Sequence, residues 1–186
     1  MAKEDSGDLL RATGPALRNA PRFSGADDHL AALSRGTRLF EYRIDAVLGH
    51  GGFGITYLAE DTLLREPVAV KEFFPAHAAI RASDQSARAR SSRDAATFDA
   101  GVASFLDEAR IIARVRHPNI VQVRRFFEAH GTGYIVLDFV QGRSLEATLE
   151  EAPLPERRVL SILNGVLDGL GEIGRASCRE RVLVTV

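Results

Sequence analysis

Cysteine is almost missing from this chain: Cys178 is the single one among 186 residues. No disulfide can form within the chain, and a reducing compartment fits that usage. An excess of charge is missing too, because 24 Lys and Arg stand against 25 Asp and Glu, a formal balance of −1. That balance gives no basis for a broad attraction to nucleic acid or to anionic membrane. No apolar run reaches the ~18 residues that suggest a bilayer span. The start, Met1-Ala2-Lys3-Glu4-Asp5, is charged with no apolar segment behind it, which argues against a secretory signal. What is present is ordinary globular composition, 45% hydrophobic and 26% charged. The expectation is a soluble cytoplasmic chain with one domain and a real core.

Residues 1–37 are rich in Ala, Gly, Ser, Asp and Arg, and read as a mobile leader in which Asp28 to Ser34 has the pattern of a short helix. From Leu39 the texture changes. Tyr42, Ile44, Val47 and Leu48 make a strand that runs into Gly49-His50-Gly51-Gly52-Phe53-Gly54. Ile55 to Glu60 is a second strand and Val68 to Phe74 a third. The segment 75–96 is polar and reads as a partly disordered surface insertion. Phe98, Val102, Phe105, Ala109 and Ile112 then fall on one helical stripe, which Pro118 limits. Val121 to Glu128 and Gly133 to Phe139 are two more strands, joined at His130-Gly131-Thr132. Ser144 opens a short helix, and Pro155 to Leu170 is a longer one with Leu160, Leu163, Val166, Leu167 and Leu170 on its apolar side. Short turns between consecutive strands favour antiparallel pairing and an α+β fold.

The glycine string alone is a weak signal. A dinucleotide-binding fold needs a helix directly after it, and here a strand follows. A Walker loop needs Gly-Lys-Ser or Gly-Lys-Thr, which is missing. What remains is a hairpin with a glycine turn, able to approach phosphates because glycine has no Cβ. Phe53 at its tip is expected to cap the site from water. Period two puts Ala69 and Lys71 on one face of the third strand and Val68 and Val70 on the other. Small Ala69 leaves room for a flat base, and Lys71 reaches toward its phosphates. By itself Lys71 reads as well as a surface lysine; the glycine loop upstream favours the clamp. A buried lysine needs an anionic partner. At ~100° per residue Glu108 lies roughly 40° from Ile112, while Asp107 lies on the polar side, so Glu108 is the expected partner.

These pieces resemble the N-terminal lobe of a bacterial, eukaryotic-type serine/threonine protein kinase. Leu48 to Gly54, Val68 to Lys71, Phe105 to Arg110, His117-Pro118-Asn119-Ile120-Val121 and Gly133 to Leu145 carry the resemblance, and Gly52 to Ala59 with Lys71-Glu72-Phe73-Phe74-Pro75 look like the bacterial branch. It implies a five-stranded antiparallel sheet with one αC-type helix over 38–140, and the first C-lobe helices over 141–171. It implies ATP and Mg²⁺ as cofactors, with Leu48, Gly49, His50, Gly51, Gly52, Phe53, Gly54, Thr56 and Ala69 around the nucleotide. Lys71 would contact the α- and β-phosphates and pair with Glu108. Leu137 would be the gatekeeper, Asp138, Phe139 and Val140 the hinge, and Ser144 the residue near the ribose. Thr56 stands where the family usually has valine, and His50 is uncommon in the loop.

The family pattern then stops. No His-Arg-Asp catalytic loop and no Asp-Phe-Gly occurs in the 186 residues, so the catalytic base and the metal-holding residues are not in this chain. The string Glu172-Ile173-Gly174-Arg175-Ala176-Ser177-Cys178-Arg179-Glu180-Arg181-Val182 resembles the translation of a sequencing adapter, and 172–186 is expected to be a non-native tail. The expected parent is a kinase moving the ATP γ-phosphoryl group to protein hydroxyls, with a membrane anchor after the kinase common in such families. The chain as written is expected to be inactive, its protein substrate unnamed, without nucleic-acid or membrane contact. The alternative is a non-catalytic nucleotide-binding pseudokinase.

Overall fold

The structure is a computed structural model that describes residues 31–183, with 177–183 as helical backbone alone. The elements are β1 (Arg38–Leu39), β2 (Tyr42–Gly51), β3 (Gly54–Asp61), β4 (Glu66–Phe73), β5 (Ala79–Arg81), β6 (Ala87–Ala89), α1 (Ala95–Ala113), β7 (Val123–Ala129), β8 (Thr132–Asp138), α2 (Leu145–Glu151) and α3 (Glu156–Leu183). Six strands form one antiparallel sheet in the order β1-β2-β3-β4-β8-β7, and β5 pairs with β6 as a separate hairpin. The α+β class matches the sequence expectation. The sheet has one strand more than the expected five, because the short β1 folds back on β2.

The sheet curls until its two edges meet. The Phe40 ring, at the β1–β2 turn, stands edge-on to Phe127 of β7 at 5.0 Å, and Tyr42 stacks over the same ring at 6.1 Å. Arg125 of β7 pairs with Glu41 beside them. Alternation then gives the curled sheet an apolar interior. Tyr42, Ile44, Tyr57, Ala59, Val68, Val70, Tyr134 and Val136 are all buried there.

Glu72 continues the Val68, Val70 row and is 0% exposed. A carboxylate without partners at this depth would be intolerable, and Glu72 has four hydrogen bonds. Tyr57 and Tyr134 donate their hydroxyls to it at 2.6 and 2.7 Å. The Arg81 guanidinium, from β5, donates two parallel bonds at 2.7 and 2.6 Å. Arg81 also donates through Nε to the Ala31 carbonyl at 2.8 Å and through Nη1 to that of Gln85 at 3.1 Å. Its plane lies 4.5 Å from the Phe74 ring centroid.

This ion pair overturns two expectations. The polar insertion is an ordered hairpin, because Arg81 must sit deep enough to meet Glu72, and Ala79 and Ala87 are buried with it. The hairpin also docks on the β7–β8 turn, where the Ala87 N–H donates to the His130 carbonyl at 2.7 Å. Gly131 in that turn has φ +71°, and a Cβ there would stand 2.6 Å from the Ala87 carbonyl oxygen. The end of the expected leader is likewise built in. Leu33 is buried, and its N–H donates to the Tyr57 hydroxyl at 3.1 Å. Residues 31–34 are not helical; the rest of the helix expected from Asp28, and the leader before it, lie outside the described residues.

Under the sheet, α1 presents its expected stripe. Phe98, Val102, Phe105 and Ala109 are buried, and the Phe73 ring packs between Phe98 and Phe105 at 5.7 and 5.6 Å. The last helix runs beyond Leu170 to Leu183, and Leu160, Leu163, Val166, Leu167 and Leu170 on it are exposed. Among the described residues no helix is long and apolar enough to cross a membrane.

Burial, and then the charge of Glu72, raises the ionisation of Tyr57 and Tyr134 well above the ordinary tyrosine range. Each folded tyrosine therefore keeps a proton that the unfolded chain releases near pH ~10. The stabilisation is fully present below that pH and is lost as pH rises toward the folded values. Urea melts between about pH 9 and 11 should show stability falling by on the order of 1.4 kcal/mol per pH unit per tyrosine once unfolded tyrosine ionises. Tyr57→Phe with Tyr134→Phe should flatten that fall.

Candidate functional site

On the other face of β4, Lys71 lies opposite Thr56 of β3 and Ile135 of β8, and Ala69 lies opposite Leu58 and Leu137. Ala69 and Lys71 share a surface, as period two requires, and the cross-strand register adds Thr56 and Leu137 to it. Over its end arches the hairpin of β2 and β3, which turns through Gly52 and Phe53 with Gly51 opposite Gly54. Register shifts between Ile44 and Ala46 and between Val47 and Gly49 bend the β2 arm.

Gly54 is fixed by close approach. A Cβ there would stand 1.9 Å from the Glu72 carbonyl oxygen, so β3 and β4 can run together here only with glycine. The Phe74 N–H adds a bond to the Phe53 carbonyl at 3.1 Å, tying the turn to the end of β4. Phe53 itself is 74% exposed, so it leaves the site open to water where it was expected to cap it.

A cleft of ≈ 350 Å³ lies between loop and sheet, lined by Leu48, Gly49, His50, Gly51, Gly52, Phe53, Gly54, Thr56 and Lys71. The structure thus gathers nine of the residues expected to surround a ligand. Asp138 closes β8, and its carboxylate pairs with Arg124, which also reaches Glu66 at 2.9 Å. The bond to Asp138, then that to Glu66, holds the Arg124 guanidinium above its usual range. The Asp138 N–H donates to the Gln122 carbonyl at 3.0 Å, and Phe139 and the exposed Val140 follow. Ser144 caps α2: its hydroxyl accepts from the Ala147 N–H at 3.1 Å.

The expected Lys71–Glu108 ion pair is not formed here. Both side chains are exposed, and no ion pair within 4.0 Å joins them among the described residues. The premise of a buried lysine fails, and an exposed pair gains little from water-screened attraction. Lys71 Nζ lies instead 5.8 Å from the centroid of the Phe105 ring, one turn before Glu108 on α1. Lysine and glutamate are brought to the same stretch of helix without touching.

Sequence reasoning missed Glu72, Arg81, Tyr57 and Tyr134 as a unit. The signal existed for Glu72, since the alternation that turns Lys71 outward turns Glu72 into the interior. Nothing local marks Arg81 among the arginines of its segment.

The protein kinase domain model matches residues 42–177. The chain belongs to the protein kinase family. It is 32% identical over 133 residues to the serine/threonine-protein kinase pkn2 of Myxococcus xanthus, covering 71% of this chain and 14% of that protein. It is 32% identical over 138 residues to PknJ of Mycobacterium tuberculosis, covering 74% and 20%. Among solved structures, the apo form of PpkA-294 is 40% identical with a TM-score of 0.64, covering 66% of this chain and 44% of that one. The PknI kinase domain of Mycobacterium tuberculosis is 26% identical with a TM-score of 0.59, covering 77% and 51%. The family is that of the bacterial serine/threonine kinases, and the chain spans about half or less of each of these kinases.

Two glycines of the loop should respond oppositely to alanine. Gly54→Ala drives a Cβ into the Glu72 carbonyl and should lower the melting temperature clearly. Gly52→Ala meets nothing within 4 Å, and thermal melts should find it within about 1 kcal/mol of the parent.

Proposed function

We propose that this chain is the ATP-holding portion of a bacterial serine/threonine protein kinase. The observation that supports it best is the single cleft shared by the glycine loop and Lys71. Backbone N–H groups of the loop can approach phosphates at Gly51, Gly52 and Gly54. The Lys71 ammonium is the cation placed to meet the α- and β-phosphates. Leu48, Thr56 and Ala69 bound a space for adenine, with Leu137 behind it and the backbone from Asp138 to Val140 at its edge. Phosphate draws Lys71 off the Phe105 ring, and Glu108, one turn along, is the carboxylate that then orients it.

Magnesium supplies charge neutralisation in kinase chemistry. In the family it is held by an Asp-Phe-Gly aspartate and a catalytic-loop residue, and neither motif occurs in the 186 residues. Transfer of the γ-phosphoryl group to a protein hydroxyl belongs, in this reading, to a longer protein with its own catalytic base. The 186-residue polypeptide holds nucleotide without turning it over.

Calorimetric titration tests the binding. The folded chain should bind ATP, and Lys71→Met should weaken it roughly ten- to a hundredfold, the loss of one charge-assisted contact of about 1.5–3 kcal/mol. Equal affinity of the variant, or none in a chain with a cooperative melt, would defeat the reading. Phosphate transfer that Lys71→Met abolishes would contradict the claim that the chain is inactive.

A further inference from the structure

The glycine loop has a second cleft on its other side. Thr56 and Lys71 line the first; Ile55 and Arg81, the next residue of β3 and the cation across the sheet, line the second, of ≈ 520 Å³. Its floor is apolar, with Phe74 and with Ile80, which is 42% exposed. Its rim carries His50 and Arg90. Arg81 is spent on Glu72, whereas Arg90 is exposed, donates to the Ala76 carbonyl at 2.8 Å and has no carboxylate partner among the described residues.

Ala31 is itself a wall of this cleft. Its carbonyl is held by Arg81 and the Leu33 N–H is held by Tyr57, so the chain is fastened where it arrives. Thirty residues precede it, and those nearest are Asp27-Asp28-His29-Leu30. Two carboxylates and one leucine therefore lie next in sequence to a cleft lined by Arg90 and by the exposed Ile80. Asp28 is three residues from the wall, within ~10 Å of it along an extended chain, and Arg90 lines the same cleft.

We propose that the segment Asp27 to Leu30 docks in this second cleft, its carboxylates against Arg90 and its leucine against Ile80. The docked segment braces the outer side of the glycine loop while the inner side faces Lys71. The docking does not depend on what the Lys71 cleft binds.

A nitroxide attached at Ser24→Cys in the full chain, with Cys178→Ser, tests this by paramagnetic broadening of backbone amides. The expected result is loss of the Gly51, Gly52 and Ile80 signals while those of Leu63 and Leu64 persist. Asp27→Lys with Asp28→Lys should restore the lost signals, and adding Arg90→Glu to that pair should remove them again. Signals that persist from the outset, or that charge reversal leaves broadened, would overturn the proposal. Broadening from a labelled chain onto a separate unlabelled one would overturn it too, since a second copy would then fill the cleft. Should Arg90→Glu fail to fold, the aspartate reversal decides alone, because it changes residues before Ala31 only.

Discussion

Glu72 enters the interior of the curled sheet as a charge, and everything around it is arranged to satisfy that charge. Moving an ion of this size from water costs several kcal/mol even after relaxation. Two tyrosine hydroxyls and a bidentate guanidinium offset the cost, and each belongs to a different part of the lobe: Tyr57 to β3, Tyr134 to β8 and Arg81 to β5. Burial works against the Arg81 charge, yet the bonds to Glu72 hold its guanidinium above the usual range. The pair thus joins strands distant in sequence and draws in the chain at Ala31 as well.

That inward residue fixes what points outward. With Glu72 committed to the interior, alternation along β4 leaves Lys71 on the opposite face, under the glycine loop. The Glu72 carbonyl is also the atom that forbids a side chain at Gly54. The following residue, Phe73, seats α1 through Phe98 and Phe105, and Phe105 carries Lys71. Three consecutive residues of one strand therefore set the interior, the loop and the helix. The Lys71–Phe105 contact is weak, on the order of 0.5–1 kcal/mol at an exposed site, so a phosphate can displace it.

Much of this was legible from sequence because it is local. The glycine hairpin, the face shared by Ala69 and Lys71, and the α1 stripe follow from turn chemistry and from short periods of two and 3.6 residues. The sheet's extra strand was not legible, because Arg38–Leu39 is too short to carry a pattern. Arg81 was not legible because its partner lies nine residues away through a turn, and only the closed sheet makes that position interior. Glu108 was expected to border the α1 stripe and face the sheet, yet it is exposed. Its pairing with Lys71 did not follow, because both side chains remain in water, where neither has need of the other.

The central claim is that the Glu72–Arg81 pair holds the lobe together, and a double-mutant cycle in urea measures it directly. Arg81→Ala alone leaves a buried carboxylate without its cation and should cost about 3–5 kcal/mol. Combining it with Glu72→Gln removes the stranded charge and should recover a substantial part of that loss, giving a coupling of well over 1 kcal/mol. Costs that simply add, with coupling near zero, would contradict the claim.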